Sequence, residues 1–119
     1  MARQVCPRFH WAAELIGKRW TGALIRVLMN GPMRFSEILE AIPGIHDPVL
    51  SQRLKELEQV GIVERRVYPE APVRIEYALT EKGRELERAI EELQRWAEKW
   101  VEIPVVRQRP SRKRRRVPT

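Results

Sequence analysis

The segment 47–79 changes its apolar repeat once, at Gly61, and that change restricts the fold more than any other feature of the chain. Before the glycine, in DPVLSQRLKELEQV, Leu50, Leu54 and Leu57 recur at three- and four-residue spacing, the period of a helix buried along one side. After it, IVERRVY sets Val63 and Val67 against Glu64 and Arg66, and VRIEYAL sets Val73, Ile75, Tyr77 and Leu79 against Arg74, Glu76 and Ala78. That period of two predicts strands with one covered face. PEAP, residues 69–72, joins them in a tip at which neither proline can donate a ladder bond. A helix feeding directly into a stiff β-ribbon is therefore predicted.

The flanking sequence supplies more helices. A short one is expected from Trp11 to Ile16, and a second in TGALIRVLMNGP, where Leu24, Ile25, Leu28 and Met29 share a face and Asn30-Gly31-Pro32 ends it. RFSEILEAIPGI predicts a two-turn support helix with Phe35, Ile38, Leu39 and Ile42 inward, Ser36 as N-cap and Pro43-Gly44 as stop. Asp47 is expected to cap the next helix, with Pro48 at its first position, where a missing N–H costs nothing. From Thr80 to about Val101 the spacing of Leu86, Ala89, Ile90, Leu93, Trp96, Ala97 and Trp100 predicts one helix of about 20 residues, spanning roughly 30 Å. That stripe is wider than a lone small domain can cover, so Leu93, Trp96 and Trp100 are expected at a dimer interface.

The face of the central helix opposite its leucines carries Pro48, Ser51, Gln52 and Lys55, with Arg53 lateral. Taken alone, such a face is ordinary solvated helix surface. The element order decides otherwise: helix, helix, short helix, turn, helix, hairpin, long helix is that of an α+β, mainly α, winged helix-turn-helix domain with a C-terminal dimerisation helix. In that arrangement the second helix of the turn enters the major groove, which is about 12 Å wide, and its N-terminal half meets base edges. Gln pairs bidentately with adenine, Ser is short enough for base or phosphate, and Lys reaches phosphate or guanine. Arg53 is placed to reach the DNA backbone, and Arg66 and Arg74 beside the ribbon tip are candidates for phosphate or minor-groove contact.

Charge has to be located before it is used. Of 23 Lys and Arg and 16 Asp and Glu, residues 1–106 hold 16 of each sign, and residues 107–119 hold seven cations and no acid, which accounts for the whole net charge of +7. The segment 104–119, with its prolines and like charges, is read as a disordered basic tail following a domain at 1–103. Within it Arg112, Lys113, Arg114, Arg115 and Arg116 are candidate nucleic-acid contacts, giving salt-dependent affinity without sequence preference. No apolar run approaches the roughly 20 residues of a membrane span, and Glu14, Lys18 and Arg19 break up any signal-like segment. A cytoplasmic, nucleoid-associated protein is expected.

RFSEILEAIPGI, then VLSQRLKELEQVGIVERRVYPEAPVRIEYALTEKG, together with Cys6-Pro7 and Ile16-Gly17-Lys18-Arg19-Trp20, resembles the HxlR-type family of prokaryotic winged helix-turn-helix regulators, within the MarR-like superfamily. The resemblance covers roughly residues 5–101. It implies a homodimeric DNA-binding transcriptional regulator, a repressor, acting on double-stranded DNA at an inverted-repeat operator, with the recognition helix at residues 48–60 and the wing at 62–79. The chain departs from the family pattern at His46-Asp47-Pro48 and in its basic tail. The alternative function is a winged-helix interaction module, or a non-specific architectural binder that relies on the tail.

A single cysteine excludes an intramolecular disulfide and a multi-cysteine zinc site. In several members of the family that the chain resembles, a cysteine at the position of Cys6 senses oxidants or electrophiles, and Arg3, Arg8 and His10, its neighbours in sequence, are of a type that could favour the thiolate such chemistry requires. Cys6 is thus the redox-sensing candidate, and an oxidant or small-molecule effector is an expected partner. Trp11, Trp20, Trp96 and Trp100 could line an aromatic pocket, although tryptophans at helical spacing are more often core or interface. Cys6-x-x-x-His10 is too loose for a metal site, and neither a cofactor nor a metal is expected. With no phosphate loop, nucleophile triad or paired catalytic carboxylates, the chain does not read as an enzyme.

Overall fold

A computed structural model of the protein describes residues 3–104. The elements run α1 (Pro7–Gly17), α2 (Thr21–Leu28), α3 (Phe35–Ala41), α4 (Asp47–Gln59), β1 (Val63–Tyr68), β2 (Arg74–Leu79), α5 (Glu81–Arg84) and α6 (Glu87–Trp100). This is the winged helix-turn-helix order. Helix α2 lies at the centre, touching α1, α3, α6 and β2. Its Leu24, Ile25 and Leu28 meet Ile38 of α3, Leu50, Leu54 and Leu57 of α4, Ile62, Val63 and Leu79 at the base of the hairpin, and Ile90 of α6.

The junction between α4 and the hairpin follows from Gly61. Its φ of +81° is the left-handed conformation that glycine adopts without steric cost. The Ile62 N–H then donates to the Leu57 carbonyl at 2.9 Å and the Gly61 N–H to that of Glu58 at 3.0 Å, a Schellman closure. Lys82 covers the Val60 carbonyl at 2.6 Å. The helix therefore stops within one residue and the chain enters β1 with Ile62 and Val63 already in the core.

The hairpin is antiparallel, pairing Val63 with Leu79, Arg65 with Tyr77 and Val67 with Ile75. These three pairs share one face, and Glu64, Arg66, Tyr68, Arg74, Glu76 and Ala78 share the other, as period two requires. Met33 adds to the free edge of β2 by exchanging two main-chain hydrogen bonds with Tyr77, at 2.9 and 2.8 Å. The wing is thereby fixed to the turn preceding α3.

Four boundaries differ from the sequence expectations. Helix α1 starts at Pro7 rather than Trp11; proline presets φ for a first helical position, and since α1 has no fully buried residue, no apolar period marked its start. Helix α3 begins at Phe35 with Arg34, not Ser36, at the N-cap, and the Glu37 carboxylate accepts the Arg34 N–H at 2.8 Å. In α4 the cap position is His46, so Asp47 and Pro48 are its first two helical residues. The helix expected to run unbroken from Thr80 divides at Glu85–Leu86, leaving α6 with 14 residues, about 21 Å long.

Gly83 explains the division. The Thr80 hydroxyl caps its N–H at 3.1 Å and donates to the Gly61 carbonyl at 2.5 Å, so the short turn α5 is pressed onto the end of α4. Any Cβ at position 83 would run into the Ile62 carbonyl oxygen. The chain must then redirect to lay Leu86 and Ile90 on the core, and Arg26 of α2 secures α6 by donating to Gln94 at 2.6 Å.

Candidate nucleic-acid interface

The leucine stripe of α4 is at most 1% exposed, and that burial fixes which side of the helix faces out. Pro48, Ser51, Gln52 and Lys55 are all exposed on the remaining surface. Helix α3, with Ile38 buried in the core shared with Leu50, Leu54 and Leu57, leads into α4 through the turn at Gly44, whose φ is +93°. Trp20 packs against this turn, with its ring 3.4 Å from where a Cβ on Gly44 would stand. Trp20 itself has a φ of +77°, unusual for a bulky residue, and it opens α2.

Arg53 is engaged within the fold. Its Nε donates to the Arg19 carbonyl at 3.0 Å, and a second guanidinium nitrogen lies 3.6 Å from Glu56. Glu56 also receives Lys18 at 3.1 Å and, more loosely, the Gln52 amide at 3.4 Å. The linker between α1 and α2 is thus bound to the exposed helix through one carboxylate. Sequence reasoning passed over Glu56, although it stands four residues beyond Gln52 and three beyond Arg53, the spacing at which helix side chains meet.

The wing arginines have acidic partners too. Arg66 lies 2.6 Å from Glu64, and that hydrogen bond raises the guanidinium's affinity for its proton above the ordinary arginine value. Arg74 is held at 2.9 Å by Glu70 and 2.8 Å by Glu76, with its guanidinium 3.9 Å above the Tyr68 ring. Arg74 is pushed far up by these bonds, Glu70 before Glu76, while the Arg74 hydrogen bond lowers the Glu70 carboxyl. Arg65, on the opposite face of β1, is exposed and has no ion pair among the described residues. Its place on the face opposite Arg66 follows from the period of two in β1.

On α6 the apolar residues separate into two faces. Leu86, at its N-cap, and Ile90 turn toward the core, whereas Leu93, Trp96 and Trp100 are 56%, 57% and 64% exposed. Phe9 and Trp11 of α1 are likewise exposed. The four tryptophans do not converge: Trp20 packs on Gly44, Trp96 and Trp100 stand outward on α6, and Trp11 borders an open cleft of about 290 Å³ with Leu15, Ile62 and Leu86. Cys6 is exposed immediately before Pro7, and His10 lies 3.8 Å from Glu14. Among the described residues no group of three His, Cys, Asp or Glu could hold a metal ion, and no helix is long and apolar enough to cross a membrane. The tail candidates Arg112, Lys113, Arg114, Arg115 and Arg116 lie outside the described residues.

Comparison with known proteins agrees with this geometry. The family model described as HxlR-like helix-turn-helix matches residues 15–104. The HTH-type transcriptional regulator YodB of Bacillus subtilis is 52% identical over 102 residues, covering 86% of this chain and 91% of that protein. The structure of YodB in its reduced form superposes with a TM-score of 0.75 at 52% identity, over 83% of this chain and 97% of that one. The redox regulator HypR in its oxidised form gives a TM-score of 0.77 at 37% identity, over 82% of this chain and all of that one.

Proposed function

Given that the chain belongs to the HxlR-like helix-turn-helix family and is a DNA-binding transcriptional regulator, we propose that it works as a cytoplasmic homodimeric repressor that reads an inverted repeat through α4. The observation that carries this reading is the α4 surface: a leucine stripe locked in the core, and Ser51, Gln52 and Lys55 exposed together beside a braced hairpin. Gln52 is assigned to an adenine edge, Lys55 to guanine or phosphate, and Ser51 to whichever lies beneath the start of the helix. Arg53 supports α4 from behind, and Arg66 and Arg74 maintain the shape of the wing while offering their outer N–H groups to the DNA flank.

Dimerisation is supported by the outward apolar face of α6, where Leu93, Trp96 and Trp100 lie too exposed for a free monomer. A two-fold dimer would set two α4 helices into successive major grooves about 34 Å apart. Cys6 is assigned to an oxidant or electrophile signal. Its exposure and the similarity to a protein described as a redox regulator support this. Since the chain has one cysteine, oxidation would join Cys6 to a small thiol or to the cysteine of a second copy.

The test is a gel shift with the DNA upstream of the protein's own gene against random duplex of equal length, before and after diamide, using wild type and Cys6→Ser. The expected result is preferential binding of the upstream fragment, released by diamide in wild type only. Equal affinity for both fragments would overturn the sequence-specific reading, and release of Cys6→Ser would overturn the assignment of the cysteine.

A further inference from the structure

The carboxylate of Glu56 is held from two sides, and its third neighbour is the residue assigned to an adenine edge. Lys18, from the linker that follows α1, donates to its Oε2 at 3.1 Å, and the Arg53 guanidinium lies 3.6 Å from its Oε1. Arg53 is itself fixed by the 3.0 Å bond from its Nε to the Arg19 carbonyl. Cations on both oxygens leave the Glu56 side chain little freedom to rotate. They also offset the charge that would otherwise repel phosphate, since two cations stand against one carboxylate.

One turn earlier on α4, at the spacing where helix side chains meet, the Gln52 Nε2 stands 3.4 Å from the same Oε2. An ionised carboxylate only accepts, so it attracts the NH2 end of a neighbouring amide and repels the carbonyl end. Of the two orientations of the Gln52 amide, Glu56 therefore selects the one with nitrogen toward itself. Adenine reading needs that choice to be made. In the bidentate pair the Gln oxygen accepts from adenine N6 and one N–H donates to N7. The amide nitrogen carries two N–H groups, and the one on the same side as the oxygen is the one that faces the base. The other points away from the base and is free for the carboxylate. Ordering a long side chain before DNA arrives removes part of the ordering penalty of association, a gain of roughly two- to tenfold in affinity.

We propose that Glu56 is a positioning residue for base recognition: clamped by Lys18 and Arg53, it orients the Gln52 amide so that the oxygen and one N–H meet adenine. It thereby sharpens the sequence preference of α4 without itself touching a base. The proposal rests on the assignment of Gln52 to an adenine edge.

The experiment compares full-length wild type, Gln52→Ala, Glu56→Gln and the double variant, each verified as folded by circular dichroism. Glu56→Gln keeps the shape of the side chain and removes its charge. Binding is measured on the upstream fragment, on random duplex, and on upstream fragments in which 7-deazaadenine, which lacks the N7 acceptor, replaces each adenine in turn. The side-chain amide signals of Gln52 are recorded by NMR in the DNA-free protein. Wild type should show a deaza penalty at one adenine that Gln52→Ala abolishes. In Glu56→Gln the penalty at that same adenine should shrink by roughly two- to tenfold, while affinity for random duplex stays level or rises. The double variant should match Gln52→Ala, and the Gln52 amide signals should shift in Glu56→Gln.

A deaza penalty unchanged in Glu56→Gln would overturn the proposal, as would an equal loss on all duplexes, which marks a purely structural role. Loss of discrimination at a cytosine instead would overturn it too, because Glu56 would then read a base directly. If Gln52→Ala keeps every deaza penalty of wild type, the assignment of Gln52 to adenine falls and takes the proposal with it. That failure is told apart by the amide signals, which would still respond to Glu56→Gln.

Discussion

Arg53 of α4 donates from its Nε to the main-chain carbonyl of Arg19 at 3.0 Å, so the helix assigned to the major groove is bound to the α1–α2 linker by a side chain that is only 16% exposed. Glu56 reinforces the junction by holding Lys18 at 3.1 Å. The consequence is mechanical: the linker that follows α1 is tied directly to α4 by two of its side chains, Arg53 and Glu56.

Removing that link should cost stability before it costs recognition. Arg53→Ala leaves the Arg19 carbonyl without its protein donor and exposes the neighbouring apolar surface that the arginine stem covers, a loss of about 1 kcal/mol. Lys55→Ala, at an exposed side chain with no ion pair among the described residues, should stay within about 0.5 kcal/mol of wild type. Thermal melting distinguishes them: Arg53→Ala falls by several degrees and Lys55→Ala does not, while DNA affinity drops for Lys55→Ala. Equal melting temperatures for the two would show that Arg53 does not brace the helix.

Gln52 and Lys55 should fail in different ways. A bidentate Gln–adenine pair discriminates against the wrong base by about 1 to 3 kcal/mol, so Gln52→Ala should narrow the affinity ratio between operator and random duplex by roughly five- to a hundredfold. Lys55→Ala, if its ammonium lies on phosphate, should weaken both DNAs alike. Competition titrations with the two duplexes read this directly, and a ratio unaltered in Gln52→Ala would remove that residue from base recognition.

A glycine in a helix is usually worth replacing, and Gly83 is a case where it should not be. Alanine would ordinarily gain up to about 1 kcal/mol in helix propensity. Here the added methyl group meets the Ile62 carbonyl, a backbone atom fixed by the Gly61 turn, so Gly83→Ala is expected to destabilise by about 1 to 3 kcal/mol. Chemical denaturation supplies the measurement, and a stabilised Gly83→Ala would mean that α5 does not press on the end of α4.

How far the chain could be read beforehand depended on whether a feature had a period. The stripe of Leu50, Leu54 and Leu57 and the alternation in the hairpin both place the core directly, because burial repeats every turn or every second residue. Helix α1 lacked that signal: Phe9 and Trp11 face outward, and nothing in it is fully buried. The division of the last helix depends on one close approach between Gly83 and Ile62, residues 21 apart, which no local pattern records. The wing pairs are a middle case. Glu64 with Arg66, and Arg74 with Glu76, are two residues apart on a strand and so share a face, which period two implies, although residue type alone marks the arginines as DNA ligands and says nothing of their pairing.

The wing should loosen in acid through the pair of Arg74 with Glu70 at its tip. The Arg74 hydrogen bond holds the Glu70 carboxyl below its ordinary value of 4.5, so its contribution to the wing is complete above that pH and disappears as pH falls through the lowered value. Neutral solution lies well above this window. Carboxyl chemical shifts followed from pH 7 to 2 should show Glu70 titrating below its ordinary value of 4.5, and the Tyr68 ring signals should move with it as Arg74 leaves the ring. In Arg74→Gln the Glu70 midpoint should return toward 4.5; a midpoint that does not respond would mean that the clasp does not form.

The outward face of α6 makes the strongest demand on assembly. Trp96 and Trp100 together with Leu93 present large apolar surface that a monomer would leave wet, and burial of each aromatic ring gains on the order of 1.5 to 3 kcal/mol. Trp96→Glu places a charge in the middle of that face without touching Leu86 or Ile90, so the domain should still fold. Sedimentation should find wild type as a dimer at micromolar concentration and Trp96→Glu as a monomer with native circular dichroism. Because the operator reading needs two α4 helices at a fixed separation, the monomer should lose most of its operator affinity. A dimer that persists in Trp96→Glu would relocate the interface to another surface, with the exposed Phe9 and Trp11 of α1 as the next face to alter.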